Sequence, residues 1–529
     1  MAHVSLIILN AAVWTGLRSP GRCQAIAVSD DRIVATGSNA DISSLAETGT
    51  KVINAGGKLV LPGFNDSHAH LLLGGRQLMA ADLRNANNRD ELAAMVASAS
   101  RLLPRGRWLT GGNWDNSKWA DQRLPVKEDI DPFTPTTPVF VTRSDLHMGL
   151  ANSAALAAAG ITAGTPEPSG GAIMRHPVTG EPTGILKDAA LELVRQAIPS
   201  PSIDESLVAV GKASELAASL GVTSLQDMAV GKEWESWDVF QTYHRRHSLT
   251  VRLSLHMPLA DWVKTKALPT GAQDAWLRLS GVKAFVDGSL GSSTALFFAP
   301  YDDEPDNNGL LMHPVAELCE QLNDADITGL QAAVHAIGDK ANNILLNIFS
   351  EVAARNGRRD RRFRVEHAQH LSAGDIDRIA ALGAIASVQP SHVIDDGRWA
   401  ERRIGPERAK FAYPFRSLTD AGVMLAFGSD WPVASLNPLE GIQAAVTRKL
   451  DDGQSWHPEQ RITVEEAVKA YTANAAFAEF AENEKGTLSP GMLADFIVLS
   501  RDIFTIPPDE IATVQVVCTV CGGRVIYEK

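Results

Sequence analysis

The 529-residue sequence predicts an α/β fold: a (β/α)8 TIM-like barrel, a small β-sandwich domain formed from both termini, and an inserted subdomain over the barrel mouth. Three observations lead to this prediction. Both ends of the chain are rich in short strands. The middle alternates apolar strands with helical stretches, which is typical of βα units and a parallel sheet. One interval in this alternation is too long to be an ordinary loop.

The two ends of the chain share a pattern of short strands separated by tight turns. Residues 4–60 form three such stretches, in which Asp-Asp and Gly-Gly pairs supply the turns. The C-terminal segment ends in VQVVCTVCGGRVIYEK, an alternating strand that turns at Gly522-Gly523. We therefore expect one composite β-sandwich domain from residues 1–61 and 487–529.

Residues 62–486 are expected to form the barrel. Eight apolar segments with helical stretches between them supply its strands: LVLPGFND, GVTSLQDM, VRLSLHM, GVKAFVDG, LQAAVHAIGD, FRVEHAQ, GAIASVQP and VMLAFGSD. A barrel of this kind closes with eight parallel strands, each followed by a helix.

About 150 residues separate His70 from the second of these strands. Because a structureless loop of that length is improbable, we predict an insertion at about residues 84–200. Its tryptophans are either core residues or part of a substrate pocket.

Composition excludes several classes of protein. There are 49 basic and 62 acidic residues, a formal net charge of −13, which argues against a general nucleic-acid or anionic-membrane surface. No apolar run reaches the 18 residues of a membrane span, and the N-terminal apolar stretch lacks the basic start of a signal peptide. We expect a small-molecule substrate as the partner, with no nucleic acid and no membrane, and leave a homodimer open.

The four cysteines, Cys23, Cys319, Cys518 and Cys521, are few and scattered, which suits a reducing, cytoplasmic location. Cys518 and Cys521 form a C-x-x-C pair, but no second pair exists to complete a structural zinc site. We interpret the pair as part of a strand.

Polar residues fall at the ends of several predicted barrel strands. His68 and His70 are two residues apart, so they project from the same face of the first strand. The polar residues on the other strands are Lys283, His335, His367 and Asp430. Because the C-terminal strand ends form the active-site face of a (β/α)8 barrel, all six are expected to converge.

Each residue alone has an ordinary structural explanation: a core histidine, an edge lysine, an aspartate that caps a turn. Together they are hard to explain in this way, because burying an ammonium, a carboxylate and four imidazoles costs several kcal/mol unless they are paired or metal-bound. Imidazoles and carboxylates are ligands of zinc and similar divalent ions. The sequence therefore predicts a divalent metal site, with zinc as the expected ion and one or two ions per subunit.

These motifs give the sequence a resemblance to a known family. PGFNDSHAH resembles the strand-1 signature of the amidohydrolase superfamily, and KAFVDGSLGSSTA, HAIGD, VEHAQ, FGSDWPV and GTLSPGMLADFIVLSRD resemble its amidohydrolase family 3 branch. This branch contains the YtcJ-like and N-substituted formamide deformylase-like proteins. The resemblance covers essentially the whole chain.

The resemblance implies a role for each of the six residues. His68 and His70 would bind a first metal ion, and His335 and His367 a second. Lys283 would be carboxylated by CO₂ and bridge the two ions, which removes the problem of a cationic lysine beside them. Asp430 would bind the catalytic water and act as general base. A site with one ion is the alternative.

The function implied is that of a metal-dependent amidohydrolase. It would cleave a C–N amide bond of a small molecule, an N-substituted formamide or another N-acyl amine, by attack of metal-activated hydroxide. Asp430, as general base and then acid, and His335 are the expected catalytic residues.

Two alternatives stay open, a heterocycle deaminase on the same scaffold and a non-catalytic scaffold. A deaminase would carry a glutamate where this chain has Asp339, which we expect to cap the next helix. A non-catalytic scaffold should have lost ligands, and this chain retains all six.

Five further residues are candidates for substrate binding. Trp114 and His147 belong to the insertion, Asp287 follows Lys283 closely, and Gln389 and Trp431 lie at strand ends. Asp287 could instead orient a metal ligand, and a purely structural role is an equal alternative for each of the five.

Overall fold

The computed structural model describes residues 3–17, 21–101, 103, 106–116, 119–143, 148–168, 171–229, 235–247, 249–267 and 274–529. The chain forms two compact units, one made of Met1–Leu73 with Val210–Lys529, the other of Gly74–Ala209. No helix among the described residues is both long and apolar enough to cross a membrane.

The chain begins with seven short strands. They are β1 (Leu6–Leu9), β2 (Ala12–Trp14), β3 (Arg22–Cys23), β4 (Ala25–Ser29), β5 (Arg32–Gly37), β6 (Lys51–Asn54) and β7 (Leu59–Pro62), with helix α1 (Asn39–Ser43) between β5 and β6. Strand β8 (Phe64–Ala69) and helix α2 (Leu71–Met79) follow.

The second unit has its own mixed sheet and helices. Its strands are β9 (Ala81–Asp82), β10 (Gly111–Trp114), β11 (Phe140–Arg143), β12 (Met148–Ala151), β13 (Gly171–Arg175) and β14 (Pro182–Asp188), in the order β13-β14-β12-β11-β10-β9. The helices are α3 (Arg89–Arg101), α4 (Lys127–Ile130), α5 (Ser153–Ala158), α6 (Leu191–Arg195) and α7 (Ile203–Ser219), the last of which runs on into the first unit. Two apolar clusters fill its interior.

Seven further strands complete the barrel. They are β15 (Val222–Met228), β16 (Arg252–Pro258), β17 (Leu277–Phe285), β18 (Gln331–Ala336), β19 (Arg364–His367), β20 (Ile385–Val388) and β21 (Met424–Phe427). With β8 they form one sheet of eight strands in sequence order, and neighbouring strands from β8 to β21 pair in parallel. This confirms the predicted TIM-like barrel.

Helices lie between and after these strands. They are α8 (Glu235–His247), α9 (Trp262–Lys266), α10 (Val315–Ile327), α11 (Asp339–Asn356), α12 (Ala373–Leu382), α13 (His392–Asp396), α14 (Ala400–Ala409), α15 (Phe415–Asp420), α16 (Pro438–Thr447), α17 (Val464–Ala470) and α18 (Ala473–Ala478). Short 3₁₀ helices span Asp131–Phe133, Leu259–Asp261, Pro458–Gln460 and Pro508–Thr513.

The barrel closes where β8 meets the segment after β21. The amide of Asp430 donates to the His68 carbonyl at 2.7 Å, and the amide of His70 donates to the Trp431 carbonyl at 2.8 Å. Gly428 is required at this seam because a Cβ there would lie 2.5 Å from the backbone nitrogen of His68. The closure therefore brings three predicted ligands to the same edge of the barrel.

The predicted first barrel strand is split in the structure. Its first half is β7, which pairs with β2 and with β22 (Phe496–Leu499) of the C-terminal segment, while β8 begins after Gly63. A Cβ at Gly63 would lie 2.2 Å from the Thr223 hydroxyl oxygen, so the two segments approach each other too closely for a side chain. The predicted strand LVLPGFND looks continuous in the sequence, and only Pro62-Gly63 marks the point where the chain passes from one sheet to the other.

Both termini contribute to two packed sheets. One contains β5-β4-β1-β6; the other contains β24-β23-β22-β7-β2-β3, where β23 is Val516–Cys521 and β24 is Arg524–Glu528. Apolar side chains of both sheets fill one core, which includes Ile8, Val28, Val60 and Phe496. Cys518 belongs to that core as a buried free thiol, as expected for a residue of a strand.

A buried ion pair joins the terminal sheets to the barrel. Arg252, at the start of β16, donates from Nε to Oδ2 of Asp495 at 2.7 Å and from Nη2 to Oδ1 at 3.0 Å. Asp495 also accepts from the amide of Gly522 at 2.7 Å, and the guanidinium lies over the ring of Trp276. Both charges are fully paired, so removing one partner leaves an uncompensated buried charge.

We expect Asp495→Asn to destabilise the protein by roughly 3–5 kcal/mol, because Arg252 would keep its charge inside the protein without a counter-ion. Differential scanning calorimetry measures this as a lower Tm. The control is Lys449→Met, which removes a solvent-exposed pair with Asp509 and should leave Tm unchanged. Equal Tm shifts for the two variants would contradict the assignment.

Candidate metal centre

The six residues predicted from the strand ends lie around one cavity of about 430 Å³. His68, His70, Lys283, His335, His367 and Asp430 all line it. The four imidazoles form a row, with ring centroids 5.6 Å apart for His70 and His68, 4.9 Å for His68 and His367, and 4.4 Å for His367 and His335. The barrel therefore brings together residues that are up to 362 positions apart in the chain.

Hydrogen bonds fix which ring nitrogen of the first two histidines faces the cavity. Nδ1 of His68 donates to Oε2 of Glu366 at 2.6 Å, and Nδ1 of His70 donates to the carbonyl of Met228 at 2.6 Å. Carboxylate and carbonyl oxygens only accept, so each ring carries its proton on Nδ1. This leaves the Nε2 lone pairs available to bind a metal ion.

The other two histidines are held in the same manner. Nδ1 of His367 donates to Oε1 of Gln389 at 2.7 Å, which leaves Nε2 free. Nε2 of His335 donates to the carbonyl of Gly288 at 2.9 Å, which leaves Nδ1 free. In its neutral form each of the four rings therefore presents one unprotonated nitrogen while the other is tied to the scaffold.

Three acceptor atoms meet at one point of the cavity. The Nε2 atoms of His68 and His70 lie 3.5 Å and 3.0 Å from Oδ1 of Asp430. Because Nε2 of His70 is within hydrogen-bond distance of Oδ1, either a proton on His70 or a bound cation has to lie between these two atoms. Ligand atoms of His68, His367 and Asp430 also lie within 4.8 Å of one another. Imidazole nitrogen and carboxylate oxygen suit zinc and related ions, so these residues fit a divalent metal.

Lys283 adds a second indication. Its side chain is buried, and Nζ has no hydrogen-bond partner among the residues that the structure describes. Burial lowers the pKa of this lysine to about 8, even though Glu366 and Asp430 oppose the shift. A buried ammonium without an acceptor is unfavourable, so this position suits a neutral amine or a modified lysine better than a free cation.

The same electrostatics keep the imidazoles in the form that binds metals. Burial, with Lys283 as the next cause, lowers the pKa of His68 to about 4 and that of His335 to about 3. His70 differs: burial lowers its pKa, but Asp430 outweighs burial and raises it. Burial would raise the pKa of Asp430, yet the neighbouring histidines hold it well below its usual range. The carboxylate is therefore ionised.

Two of the site residues adopt a left-handed backbone. His367 has φ of 74° and Asp430 has φ of 57°. For residues other than glycine this conformation costs of order 1–3 kcal/mol and persists only where the surroundings enforce it. His367 is the last residue of β19 and Asp430 lies three residues after the end of β21, and both side chains line the cavity.

A buried network that the sequence analysis missed supports His68. Glu366, whose Oε2 accepts from His68, accepts from Nε of Arg364 at 2.7 Å through Oε1. Arg364 also donates to the carbonyl of Ser67 at 2.6 Å and to the hydroxyl of Ser387 at 3.0 Å. An arginine and a glutamate two residues apart in an apolar strand were the available signal, because such residues share a face.

Three of the five residues proposed for substrate binding, Asp287, Gln389 and Trp431, form hydrogen bonds that position other parts of the site. The carboxylate of Asp287 accepts from the backbone amides of Leu296, Ile337 and Gly338, and so holds two loops beside the cavity. Gln389 orients His367, and Trp431 is buried with its carbonyl bonded to His70. None of the three lines the cavity within the described part of the chain.

Trp114 and His147 are the two candidates from the insertion. Trp114 is completely buried in the core of the second unit, where Nε1 donates to the carbonyl of Val141 at 3.1 Å and the ring lies 6.3 Å from that of Trp119. His147 lies outside the described residues.

Asp339 does not cap its helix as expected. The N-cap of α11 is Gly338, and Asp339 is the first helical residue, whose Oδ1 accepts from the amide of Phe298 at 2.9 Å. The prediction was wrong because Asp339 lies one residue inside the helix, where its carboxylate binds the preceding loop as well as the amide of Lys340. Asp339 is not among the described residues that line the cavity.

Sequence reasoning also missed one wall of the cavity. Phe285, Gln369, His392, Asp396 and Trp399 line it together with the predicted ligands. Three of them come from SHVIDDGRW, which directly follows strand β20. Aromatic and acidic residues after the C-terminal end of a barrel strand were the signal that could have found them.

Comparisons with known proteins identify the family of the chain. The profile of the amidohydrolase family matches residues 51–527. Protein LONG AFTER FAR-RED 3 from Arabidopsis thaliana is 41% identical over 99% of this chain and 91% of its own length. YtcJ from Bacillus subtilis (strain 168), named as an amidohydrolase, is 34% identical over 98% of both chains. N-substituted formamide deformylase from Arthrobacter pascens is 29% identical over 99% and 98%.

Solved structures give the same indication. An uncharacterized metal-dependent hydrolase from Pyrococcus horikoshii OT3 has a TM-score of 0.79 and 27% sequence identity, covering 95% of this chain and 99% of its own.

We expect Glu366→Gln to weaken zinc binding by roughly 10–100-fold, because a neutral amide no longer stabilises the Nδ1 proton of His68 as a carboxylate does. Competition with a chromophoric chelator measures the affinity. The control, Glu465→Gln, removes an exposed carboxylate of α17 and should bind zinc as the unaltered protein does. Unchanged affinity in Glu366→Gln would show that His68 needs no such support.

Proposed function

The chain belongs to the amidohydrolase family, and from this premise we propose that it hydrolyses a carbon–nitrogen amide bond in a small molecule. N-substituted formamides and other N-acyl amines are the proposed substrates. The observation that carries the proposal is the meeting of the His68, His70 and Asp430 lone pairs at one point of the cavity. The likeness to N-substituted formamide deformylase supports the choice of amide.

The ligand set divides into two groups. His68 and His70 would hold one divalent ion, zinc by donor preference, and His335 and His367 would hold a second. A carbamate on Lys283 would lie between the groups as a shared anionic ligand. A divalent ion, when bound, supplies an acidified water and a polarised substrate carbonyl.

Asp430 is the proposed general base and acid. Its carboxylate is ionised, and Oδ1 faces the Nε2 atoms of both first-strand histidines. It would accept a proton from the attacking water and return that proton to the leaving nitrogen. Because an amine is a poor leaving group as an anion, this return matters more for amides than for esters. The left-handed backbone at Asp430 fixes where the proton is held.

We expect metal-dependent release of amine and carboxylic acid from a panel of N-substituted formamides and N-acyl amines. Asp430→Asn should lower kcat by about 10²–10⁴-fold, because it removes the proton carrier. His70→Ala should lose activity together with bound metal. The control is His313→Ala, at an exposed position outside the cavity, which should retain activity.

Two outcomes would contradict the proposal. Full activity in both Asp430→Asn and His70→Ala would remove the site assignment. Release of ammonia from heterocycles, without cleavage of any amide on the panel, would replace amide hydrolysis by deamination.

The carbamate on Lys283 has its own test. If Lys283 joins two ions, Lys283→Ala should bind about one ion fewer per chain, measured by elemental analysis of the purified protein. Lys469→Ala, which removes a partly exposed lysine of α17 outside the cavity, is the control and should keep the metal content. A crystal structure of active, metal-loaded enzyme with an unmodified Lys283 would contradict the carbamate.

A further inference from the structure

Beyond the six predicted ligands, the charged side chains that line the cavity are acidic. Asp395 and Asp396 contribute carboxylates to it, and Lys283 is the one lysine or arginine among the described residues that line it. Lys283 lies at the metal centre, where its Nζ is 5.1 Å from the centroid of the Phe285 ring that packs on His335. The described lining of the outer wall thus carries negative charge, and the nearest basic groups lie behind it, Arg398 at 3.9 Å from Asp395 and Arg403 over Trp399.

Two hydrogen bonds to the same oxygen fix the orientation of the Asp396 carboxylate. Its Oδ2 accepts from Nε2 of Gln369 at 2.6 Å and from the hydroxyl of Tyr413 at 2.6 Å. Both donors are buried, so the carboxylate has a fixed orientation. These two bonds use the same oxygen, and Oδ1 keeps its acceptor capacity for a ligand in the cavity.

The charge of Asp396 is not neutralised within the described protein. Its hydrogen-bond partners are an amide and a phenol, which carry no positive charge. Burial raises the pKa of Asp396 despite the hydrogen bond from Tyr413 and the influence of His392. A largely buried carboxylate in this situation gains from a cation placed against its free oxygen.

Aromatic side chains complete the wall. Phe285 and Trp399 line the same cavity as Asp396. Each ring already has a cation of the protein near its face, Lys283 Nζ at 5.1 Å from the centroid of Phe285 and the guanidinium of Arg403 at 5.5 Å from that of Trp399. The rings therefore offer a substrate apolar surface, and Asp396 is the group that would receive an alkylammonium carried on an apolar body.

His392 connects this wall to the metal centre. Its imidazole influences the pKa of both Asp396 and Asp430, so it lies within electrostatic range of each. Its buried Nε2 has no hydrogen-bond partner among the described residues. The cavity volume of about 430 Å³ suits a small organic molecule. One such molecule can place an amide at Asp430 and a second group at Asp396.

We propose that Asp396, with Trp399 and Phe285, forms a subsite for a cationic group on the substrate. The preferred substrates are then N-acyl amines in which the amine portion carries a second, protonated amino group. This inference rests on the proposed amide hydrolysis and adds the substrate class. The same wall disfavours substrates whose amine portion carries a carboxylate, such as N-acyl amino acids.

A matched series of formamides tests the subsite. The probes are N-benzylformamide, its 4-aminomethyl derivative and its 4-carboxy derivative, which differ in charge at one position. We expect kcat/KM to favour the cationic over the neutral compound by roughly 10–100-fold, as a charge-assisted hydrogen bond allows. The anionic compound should be the poorest of the three. Equal values for the cationic and neutral compounds in the unaltered enzyme would overturn the proposal.

Two variants localise the effect. Asp396→Asn should bring the ratio of cationic to neutral kcat/KM to about 1. The control is Asp420→Asn, because that side chain is 67% exposed and is not among the described residues that line the cavity. The control should keep the ratio of the unaltered enzyme. A loss of preference in Asp420→Asn but not in Asp396→Asn would overturn the assignment to Asp396.

A binding measurement separates failure of the subsite from failure of the proposed function. Isothermal titration of the zinc-loaded protein with 4-(aminomethyl)benzylamine reports the subsite without any hydrolysis. Binding that weakens in Asp396→Asn supports the subsite even if no amide is cleaved. Hydrolysis of amides without a charge preference, together with no diamine binding, would overturn the subsite and leave amide hydrolysis in place.

Discussion

The meeting of His68 Nε2, His70 Nε2 and Asp430 Oδ1 at one point is the constraint on which the rest of the site depends. Three acceptors do not stay together without a positive charge, so the surrounding structure has to hold them there until one is supplied. The barrel does this with backbone as well as side chains. Its first and last strands are tied by hydrogen bonds at the same residues that carry the ligands, and Gly428 lets the two segments approach. The hydrogen bonds that close the barrel therefore also bring the metal ligands together.

Residues that contact the four histidines determine which ring nitrogen of each histidine can bind a metal ion. Glu366, Gln389 and the carbonyls of Met228 and Gly288 each take one ring proton and thereby select the nitrogen that faces the cavity. A neutral imidazole with the opposite tautomer would present a proton to a metal ion instead of a lone pair. Arg364 in turn balances the charge of Glu366 inside the barrel. The ligands therefore depend on partners that are themselves buried and paired.

Sequence reasoning found the barrel and the six cavity residues because both follow from local periodicity. His68 and His70 share a face by alternation, and the other four stand out as polar groups at apolar strand ends. The hydrogen-bond partners of these residues could not be predicted from the sequence. Gln389 was predicted to bind substrate, but it bonds His367 on the neighbouring strand, and no pattern within its own segment indicates such a pairing. The split at Gly63 was equally hidden, because an apolar run looks the same whether it serves one sheet or two.

The terminal sheets have a consequence for how the protein is made. Strand β7 pairs with β22, and about 430 residues separate the two along the chain. During synthesis β7 leaves the ribosome long before β22 exists. Its edge remains unpaired while the barrel sequence is translated, a period in which such an edge attracts strands of other chains. A sheet that is completed by a strand about 430 residues later is therefore exposed to aggregation until that strand is made, and to any event that stops translation before it.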